Sequence, residues 1–168
     1  MAAPEFEEPP LDCPRCPRLV AFLHELRALH PDWKNAPVRS FGELQARLLI
    51  VGLAPGMRGA NRTGRPFTGD YAGDLLYSTL LRFGFAEGTY GADPGDGLRL
   101  VDARIANAVR CLPPENKPLP AEFTACRPFI QAEIAVMPKL RVLVALGKGA
   151  HDQILRALAV KPASAYPF

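Results

Sequence analysis

Apolar residues along this chain follow two patterns, one typical of helices and one typical of buried strands. Residues 17–30 carry leucine, valine and phenylalanine at intervals of three and four, which predicts an amphipathic helix with Pro17 in its first turn. The same spacing predicts three further helices, over residues 72–83, 128–137 and 148–158. Short uninterrupted apolar runs predict three buried strands, over residues 48–51, 105–109 and 142–146.

Short strands that alternate with helices are typical of an α/β fold built on a parallel sheet. In such folds ligands bind beyond the carboxyl ends of the strands. Three segments follow predicted strands directly: residues 52–70, residues 110–120 and the turn at Gly147. We therefore expect the functional site among them.

Composition narrows the class of protein. The chain has 168 residues, of which 48% are hydrophobic and 22% charged, and this fits one folded domain rather than a disordered chain. No apolar run approaches the roughly 18 to 20 residues of a membrane span, and no signal peptide is recognisable, so we expect a cytoplasmic protein without a membrane partner. The acidic, proline-rich residues 1–12 predict a flexible tail, which leaves residues 13–168 as the domain. The net charge of +3 permits a polyanionic partner.

The four cysteines form a C-x2-C pair and two distant single residues: Cys13, Cys16, Cys111 and Cys126. In a cytoplasmic protein, this arrangement favours metal or redox chemistry over structural disulfides. Four thiolates suit either an iron–sulfur cluster or a tetrahedral zinc ion, and the spacing does not separate the two. A redox-active C-x2-C pair and buried inert thiols are the alternatives.

The segment after the first predicted strand, GLAPGMRGANRTGRPFTGD, is rich in glycine and arginine. It lacks the G-K-[ST] ending of a Walker A loop and the G-x-G-x-x-G pattern of dinucleotide-binding proteins. Its free backbone amides, its arginines and the Phe67 ring suit a phosphate, a carbonyl oxygen and a stacked base. The alternative is a structural loop whose arginines are solvated.

This segment, together with NAVRCLPPENKP and ALGKGAH, closely resembles the uracil-DNA glycosylases that carry a four-iron cluster. Leu53 in GLAPG is similar to the family 5 branch, also called type b. The resemblance implies a three-layer α/β/α sandwich around a four-stranded parallel sheet, and a [4Fe–4S] cluster on the four cysteines in preference to zinc. It also implies hydrolysis of the N-glycosidic bond of uracil in DNA, with tolerance of other deaminated bases such as hypoxanthine.

The resemblance also implies roles for individual residues. Phe67 would stack on a base flipped out of the duplex, and Asn107 would read its Watson–Crick edge. The backbone of the first motif would hold a base oxygen and the attacking water, through Gly52, Leu53, Ala54, Pro55 and Gly56. A core position for Phe67 and a strand-end cap for Asn107 are the alternatives.

Asp70 and Asn107 are the candidate catalytic residues. Asp70 is the carboxylate nearest to the motif, but aspartate at the start of a helix is also a preferred N-cap, and one side chain is not expected to do both. The predicted DNA phosphate contacts are Arg62, Arg65 and Lys117. His151 is interpreted as a surface or capping residue.

In the family, a fourth strand and a histidine-bearing loop follow the segment that ends this sequence. We therefore expect a C-terminally incomplete domain. The leading hypothesis is a monomeric uracil-DNA glycosylase that acts on uracil-containing DNA. The alternatives are an inactive fragment of such an enzyme, a non-catalytic iron–sulfur module that binds nucleic acid, and a small redox or metal carrier.

Overall fold

The structure is a computed structural model that describes residues 6–168. In chain order its helices are α1 (Pro17–Leu29), α2 (Ala60–Thr63), α3 (Tyr71–Arg82), α4 (Pro120–Val136) and α5 (Lys148–Ala157). Its strands are β1 (Phe41–Gly42), β2 (Leu48–Gly52), β3 (Ala86–Glu87), β4 (Arg99–Leu100), β5 (Ala103–Asn107) and β6 (Val142–Ala145). None of the helices in this part of the chain is long and apolar enough to cross a membrane.

The main sheet has the order β1-β5-β2-β6, and β2 pairs in parallel with both β5 and β6. Successive residues of β2 point to opposite faces of the sheet. Leu49 and Val51 pack with α4 and α5 on one face, while Ile50 packs with α3 on the other. The predicted α/β/α sandwich is therefore confirmed.

The described sheet has a fourth strand that the sequence did not predict. It is β1, which precedes the three predicted strands and pairs antiparallel with β5. The parallel fourth strand of the family was expected to be missing from this sequence, and β1 is not that strand. At Gly42 of β1, φ is +103°, and a Cβ there would overlap the carbonyl oxygen of Ala103. A glycine therefore lets this two-residue strand approach the sheet edge closely.

Two predicted elements differ from the observed ones. The helix expected from Pro128 begins eight residues earlier, at Pro120, because a proline suits the first helical turn and the Glu122 carboxylate accepts a hydrogen bond from the Leu119 amide at 2.8 Å. Pro128 lies inside this helix. Strand β6 was predicted to be buried, but it is an edge strand, and Val142 is 52% exposed.

Part of the predicted N-terminal tail contacts the domain. Residues 1–5 lie outside the described residues, but Glu8 pairs with Arg110 at 3.0 Å and accepts a hydrogen bond from the Ser40 amide at 2.9 Å. Arg110 in turn pairs at 2.6 Å with the fully buried Glu133 of α4. A buried charge needs such partners because isolated burial is costly. This network fixes residues 6–12 to the domain.

Helix α1 covers the region that follows β5. Its buried leucines, Leu19, Leu23 and Leu26, pack with Val109, Cys111, Leu112 and Cys126 in a cluster of their own. This cluster holds the N-terminal helix against the start of the loop after β5 and against α4. The three-layer fold thus brings all four cysteines to one side of the molecule.

Candidate active site

A cavity of about 510 Å³ opens at the carboxyl edge of the sheet, where the sequence predicted the site. Seven predicted residues line it: Leu53, Ala54, Pro55, Gly56, Phe67, Asp70 and Asn107. It has seven further lining residues that the sequence analysis did not select, namely Met57, Arg58, Gly59, Ala60, Ala72, Asn116 and Leu146. The glycine-rich loop therefore supplies most of the wall.

The floor of this cavity is formed where β2 and β5 end side by side. Gly52 is the register partner of Asn107. A Cβ on Gly52 would lie 2.5 Å from Oδ1 of Asn107 and 2.5 Å from Cζ of Phe67. A side chain at position 52 would therefore displace both predicted base-contacting groups.

Asn107 is 2% exposed, and its Oδ1 accepts no hydrogen bond from any residue in the described chain. Leaving a buried acceptor unmatched costs about 1–3 kcal/mol. Its position on the floor of an open cavity means that a bound molecule with an N–H group could satisfy it. This feature distinguishes Asn107 from the strand-end cap that was its alternative.

Phe67 has a left-handed backbone with φ +51°, which is uncommon for a bulky side chain. Its carbonyl lies against Gly73 of α3, where a Cβ would overlap it. The ring is half-buried and lines the cavity beside Gly52. Such strain persists only where surrounding contacts enforce it.

Asp70 shows that capping and facing the cavity are compatible in one side chain. Its Oδ1 accepts a hydrogen bond from the Gly73 amide at 3.0 Å and caps α3. Its Oδ2 faces the glycine loop, since a Cβ on Gly56 would lie 3.2 Å from that oxygen and a Cβ on Gly59 would overlap it. The two oxygens thus have different surroundings, and a catalytic role for Asp70 stays a prediction.

Asn116 is a lining residue that the sequence analysis did not select, and it lies exposed in the loop after β5. Glu115 and Asn116 have φ values of +55° and +56°. These two consecutive left-handed residues turn the chain so that Asn116 lines the cavity. Asparagine tolerates that backbone region better than most residues. The sequence feature that could have identified Asn116 is an asparagine that follows two prolines in the loop after a predicted strand.

The three predicted phosphate contacts have different surroundings. Lys117 is exposed, and its Nζ lies 3.4 Å from the Glu115 carboxylate. Arg62 is exposed, and its Nε donates to the Arg58 carbonyl at 2.8 Å. Arg65 does not fit a phosphate contact, because its side chain is 5% exposed and pairs with Asp96 at 2.7 Å.

The four cysteines line one small cavity beside α1, together with Leu19, Val109 and Phe129. None of them forms a disulfide. Burial, followed by Cys126 and Glu122, raises the pKa of Cys16 to about 11, and burial with the neighbouring thiols raises the pKa of Cys111 still further. Over residues 6–168, no three His, Cys, Asp or Glu side chains are placed to share a single metal ion.

The chain is similar in sequence to proteins of one known superfamily. Residues 39–166 match the family described as the uracil DNA glycosylase superfamily. A type-5 uracil-DNA glycosylase of Thermus thermophilus is 45% identical over 162 residues, which are 93% of this chain and 73% of that protein. One of Mycobacterium tuberculosis is 45% identical over 86% of this chain, which spans 56% of that protein's length. A type-4 enzyme of Pyrobaculum aerophilum is 36% identical over 81% of this chain.

Proposed function

Since the chain belongs to the uracil-DNA glycosylase superfamily, with type-5 relatives at 45% identity, we propose that it hydrolyses the N-glycosidic bond of uracil in DNA and leaves an abasic site. The observation that carries this proposal is the unmatched, buried Oδ1 of Asn107 on the floor of an open cavity, beside the Phe67 ring. A duplex hides the glycosidic bond, so the nucleotide must be flipped into this cavity.

Asn107 can distinguish uracil from cytosine by whether the base offers a hydrogen-bond donor or an acceptor. Its Oδ1 is an acceptor, and uracil presents an N–H donor at N3, where cytosine presents an acceptor. A site whose buried polar group stays unmatched by the wrong base rejects that base. Hypoxanthine also carries an N–H on its Watson–Crick edge, which supports the proposal that other deaminated bases are accepted.

The Phe67 ring stacks on the flipped base in this proposal, and base stacking on an aromatic residue contributes about 1–3 kcal/mol. The leaving base carries negative charge, and the sugar takes on oxocarbenium character as the bond breaks. The Asp70 carboxylate, through the oxygen that faces the glycine loop, stabilises that cation or orients the attacking water. Asn116 is a second polar group at the same cavity and orients substrate or water there.

The four cysteines hold a [4Fe–4S] cluster in this proposal. That all four line one cavity supports a group that they share, and thiolates are the ligands that hold such clusters in proteins. When bound, the cluster supplies a cross-link between α1, the loop after β5 and α4, and the hydrolysis itself transfers no electrons. Replacing Cys126 by serine should lower the iron content and the melting temperature together. A Cys126→Ser protein without iron but with unchanged melting would contradict this assignment.

DNA binds across the mouth of the cavity, with Arg62 and Lys117 as the proposed phosphate contacts. Neither residue is buried. Arg62 lies in α2 and Lys117 in the loop after β5, and both segments contribute cavity-lining residues. Arg65 is not among the proposed phosphate contacts, because its guanidinium is buried in an ion pair with Asp96.

The test is release of uracil from a duplex with one U·G pair, with alkali to reveal abasic sites and the matching C·G duplex as control. We expect cleavage of the U·G duplex alone, and loss of cleavage in Asn107→Ala. A folded, iron-bound protein that binds the duplex and leaves every uracil in place would overturn the catalytic proposal and favour a nucleic-acid-binding module. Hypoxanthine in the same position tests the wider base range.

A further inference from the structure

A buried ion pair joins the glycine-rich segment after β2 to the turn between β3 and β4. The Arg65 guanidinium donates to both carboxylate oxygens of Asp96, at 2.9 and 2.7 Å, and each side chain is 5% exposed. Asp96 lies in the turn between β3 and β4, where it also accepts hydrogen bonds from the Gly91 and Leu98 amides. Both carboxylate oxygens of Asp96 therefore accept hydrogen bonds from Arg65 and from backbone amides.

Three aromatic rings surround the same guanidinium. Its carbon lies 5.2 Å from the ring centre of Phe41, 5.3 Å from that of Tyr77 and 5.9 Å from that of Tyr90. The two tyrosine rings stack on each other at 4.7 Å. Rings at these distances attract a cation and exclude water from the pair. The hydrogen bonds from Arg65 lower the pKa of Asp96, which keeps the pair charged.

These groups contact the residues on both sides of Phe67, through one side-chain hydroxyl and three backbone groups. Arg65 Nε donates to Thr68 Oγ1 at 2.8 Å, and the Tyr77 hydroxyl donates to the Pro66 carbonyl at 2.6 Å. The Tyr90 hydroxyl lies 3.4 Å from the Phe67 carbonyl, and it accepts from the Gly69 amide at 3.4 Å. The left-handed backbone of Phe67 is thus enclosed by contacts from the β3–β4 turn and α3.

We propose that Arg65, Asp96 and Tyr90 are positioning residues that hold the Phe67 ring in the orientation needed to stack on the flipped base. This inference rests on the proposed function, in which Phe67 contacts the base. The Arg65–Asp96 pair links two loops, and Arg65 reaches the main sheet only through the Phe41 ring at its edge strand β1. Breaking the pair therefore loosens the Phe67 segment and leaves the β2–β5 register in place. The β3–β4 turn, which contributes no cavity-lining residue, thereby controls affinity for the base.

The experiment compares Asp96→Asn and Tyr90→Phe with Glu87→Gln as the matched control. Glu87 pairs with Arg99 on the same hairpin, but both side chains are largely exposed. Three quantities are measured for the full chain with its cluster: amide hydrogen exchange in residues 65–69, the inhibition constant of free uracil in the release assay, and the affinity for a duplex without uracil.

We expect Asp96→Asn to speed exchange in residues 65–69 and to weaken inhibition by uracil about tenfold, the loss typical of one charge-assisted hydrogen bond. Tyr90→Phe should weaken it about threefold, since the hydroxyl contacts are long. Affinity for plain duplex should stay within about twofold, because the phosphate contacts do not involve this turn. Glu87→Gln should match the wild type in all three measurements.

Wild-type inhibition by uracil in both variants, or an equal loss of affinity for uracil and plain duplex, would overturn the inference. If Asp96→Asn does not fold, Tyr90→Phe decides the question. A wild-type chain that releases no uracil would overturn the proposed function instead, and the exchange measurement would still decide whether the pair holds residues 65–69.

Discussion

Asp70 allows stability and chemistry to be separated, because its two carboxylate oxygens have different partners. Asparagine is as good an N-cap as aspartate, so Asp70→Asn keeps the hydrogen bond from the Gly73 amide and removes the negative charge. Asp70→Ala removes both. We expect the first change to alter the free energy of unfolding by less than about 0.5 kcal/mol and the second to cost about 1 kcal/mol.

These energies convert into melting temperatures that can be resolved. An unfolding entropy of about 2.1 cal/mol/K per residue gives a shift of about 3 °C per kcal/mol for a chain of 168 residues. Asp70→Ala should therefore melt about 3 °C below the wild type, and Asp70→Asn within about 1 °C of it. Both variants should release uracil about a hundredfold or more slowly in single turnovers, since both lose the charge that faces the sugar.

The matched control is Asp74→Asn, which removes a negative charge from the first turn of the same helix at an exposed residue outside the cavity. It should leave the rate of uracil release unchanged. Asp70→Asn with a wild-type rate would show that the carboxylate only caps the helix. Equal slowing by Asp74→Asn would show that the effect comes from the helix terminus and not from the cavity.

Three further outcomes are expected. Gly52→Ala should abolish uracil release while DNA binding persists, because the added methyl group would displace the Asn107 side-chain amide and the Phe67 ring. Uracil release at the wild-type rate would refute this packing argument. Lys117→Ala should reduce the slope of log affinity against log salt concentration by about 1, whereas Lys139→Ala, near the opposite edge of the sheet, should not. Because Arg65 lowers the pKa of Asp96 below its ordinary 3.8, the pair stabilises the fold fully above that value and less as pH falls below it. The melting difference between wild type and Asp96→Asn should therefore narrow between about pH 7 and about pH 3, and a constant difference would contradict the assignment.

Half of the floor of the site was predictable from the apolar pattern. Gly52 directly follows the predicted strand 48–51, so the pattern places it at the carboxyl edge of the sheet. Asn107 lies in the middle of the predicted strand 105–109, and it ends its strand only because β5 spans Ala103–Asn107. Arg65 was misassigned because its partner, Asp96, lies 31 residues away in a turn, and no local pattern pairs the two. An arginine in a glycine-rich loop gives the same sequence pattern whether it faces phosphate or a buried carboxylate.

Other differences have equally local causes. Proline is compatible with the first turn of a helix, so Pro128 was taken as a start, although Pro120 fills that position and Glu122 completes the cap. Asn116 reaches the cavity through two consecutive left-handed residues, a backbone path that composition does not specify. The monomeric state, the cytoplasmic location and the incomplete C-terminus stay predictions.

Gly52 and Asn107 lie opposite each other in the register of β2 and β5 and form the floor of the cavity. This floor and the rim of the cavity differ in how well they tolerate amino-acid substitutions. The floor belongs to strands with hydrogen-bonded neighbours, so a substitution there is felt throughout the sheet. Met57, Arg58 and Asn116 are exposed loop residues on the rim, and their replacement leaves every strand pair intact. Directed evolution toward a different damaged base would therefore best randomise this rim and leave the floor unchanged, since new specificities can arise there without loss of folded protein.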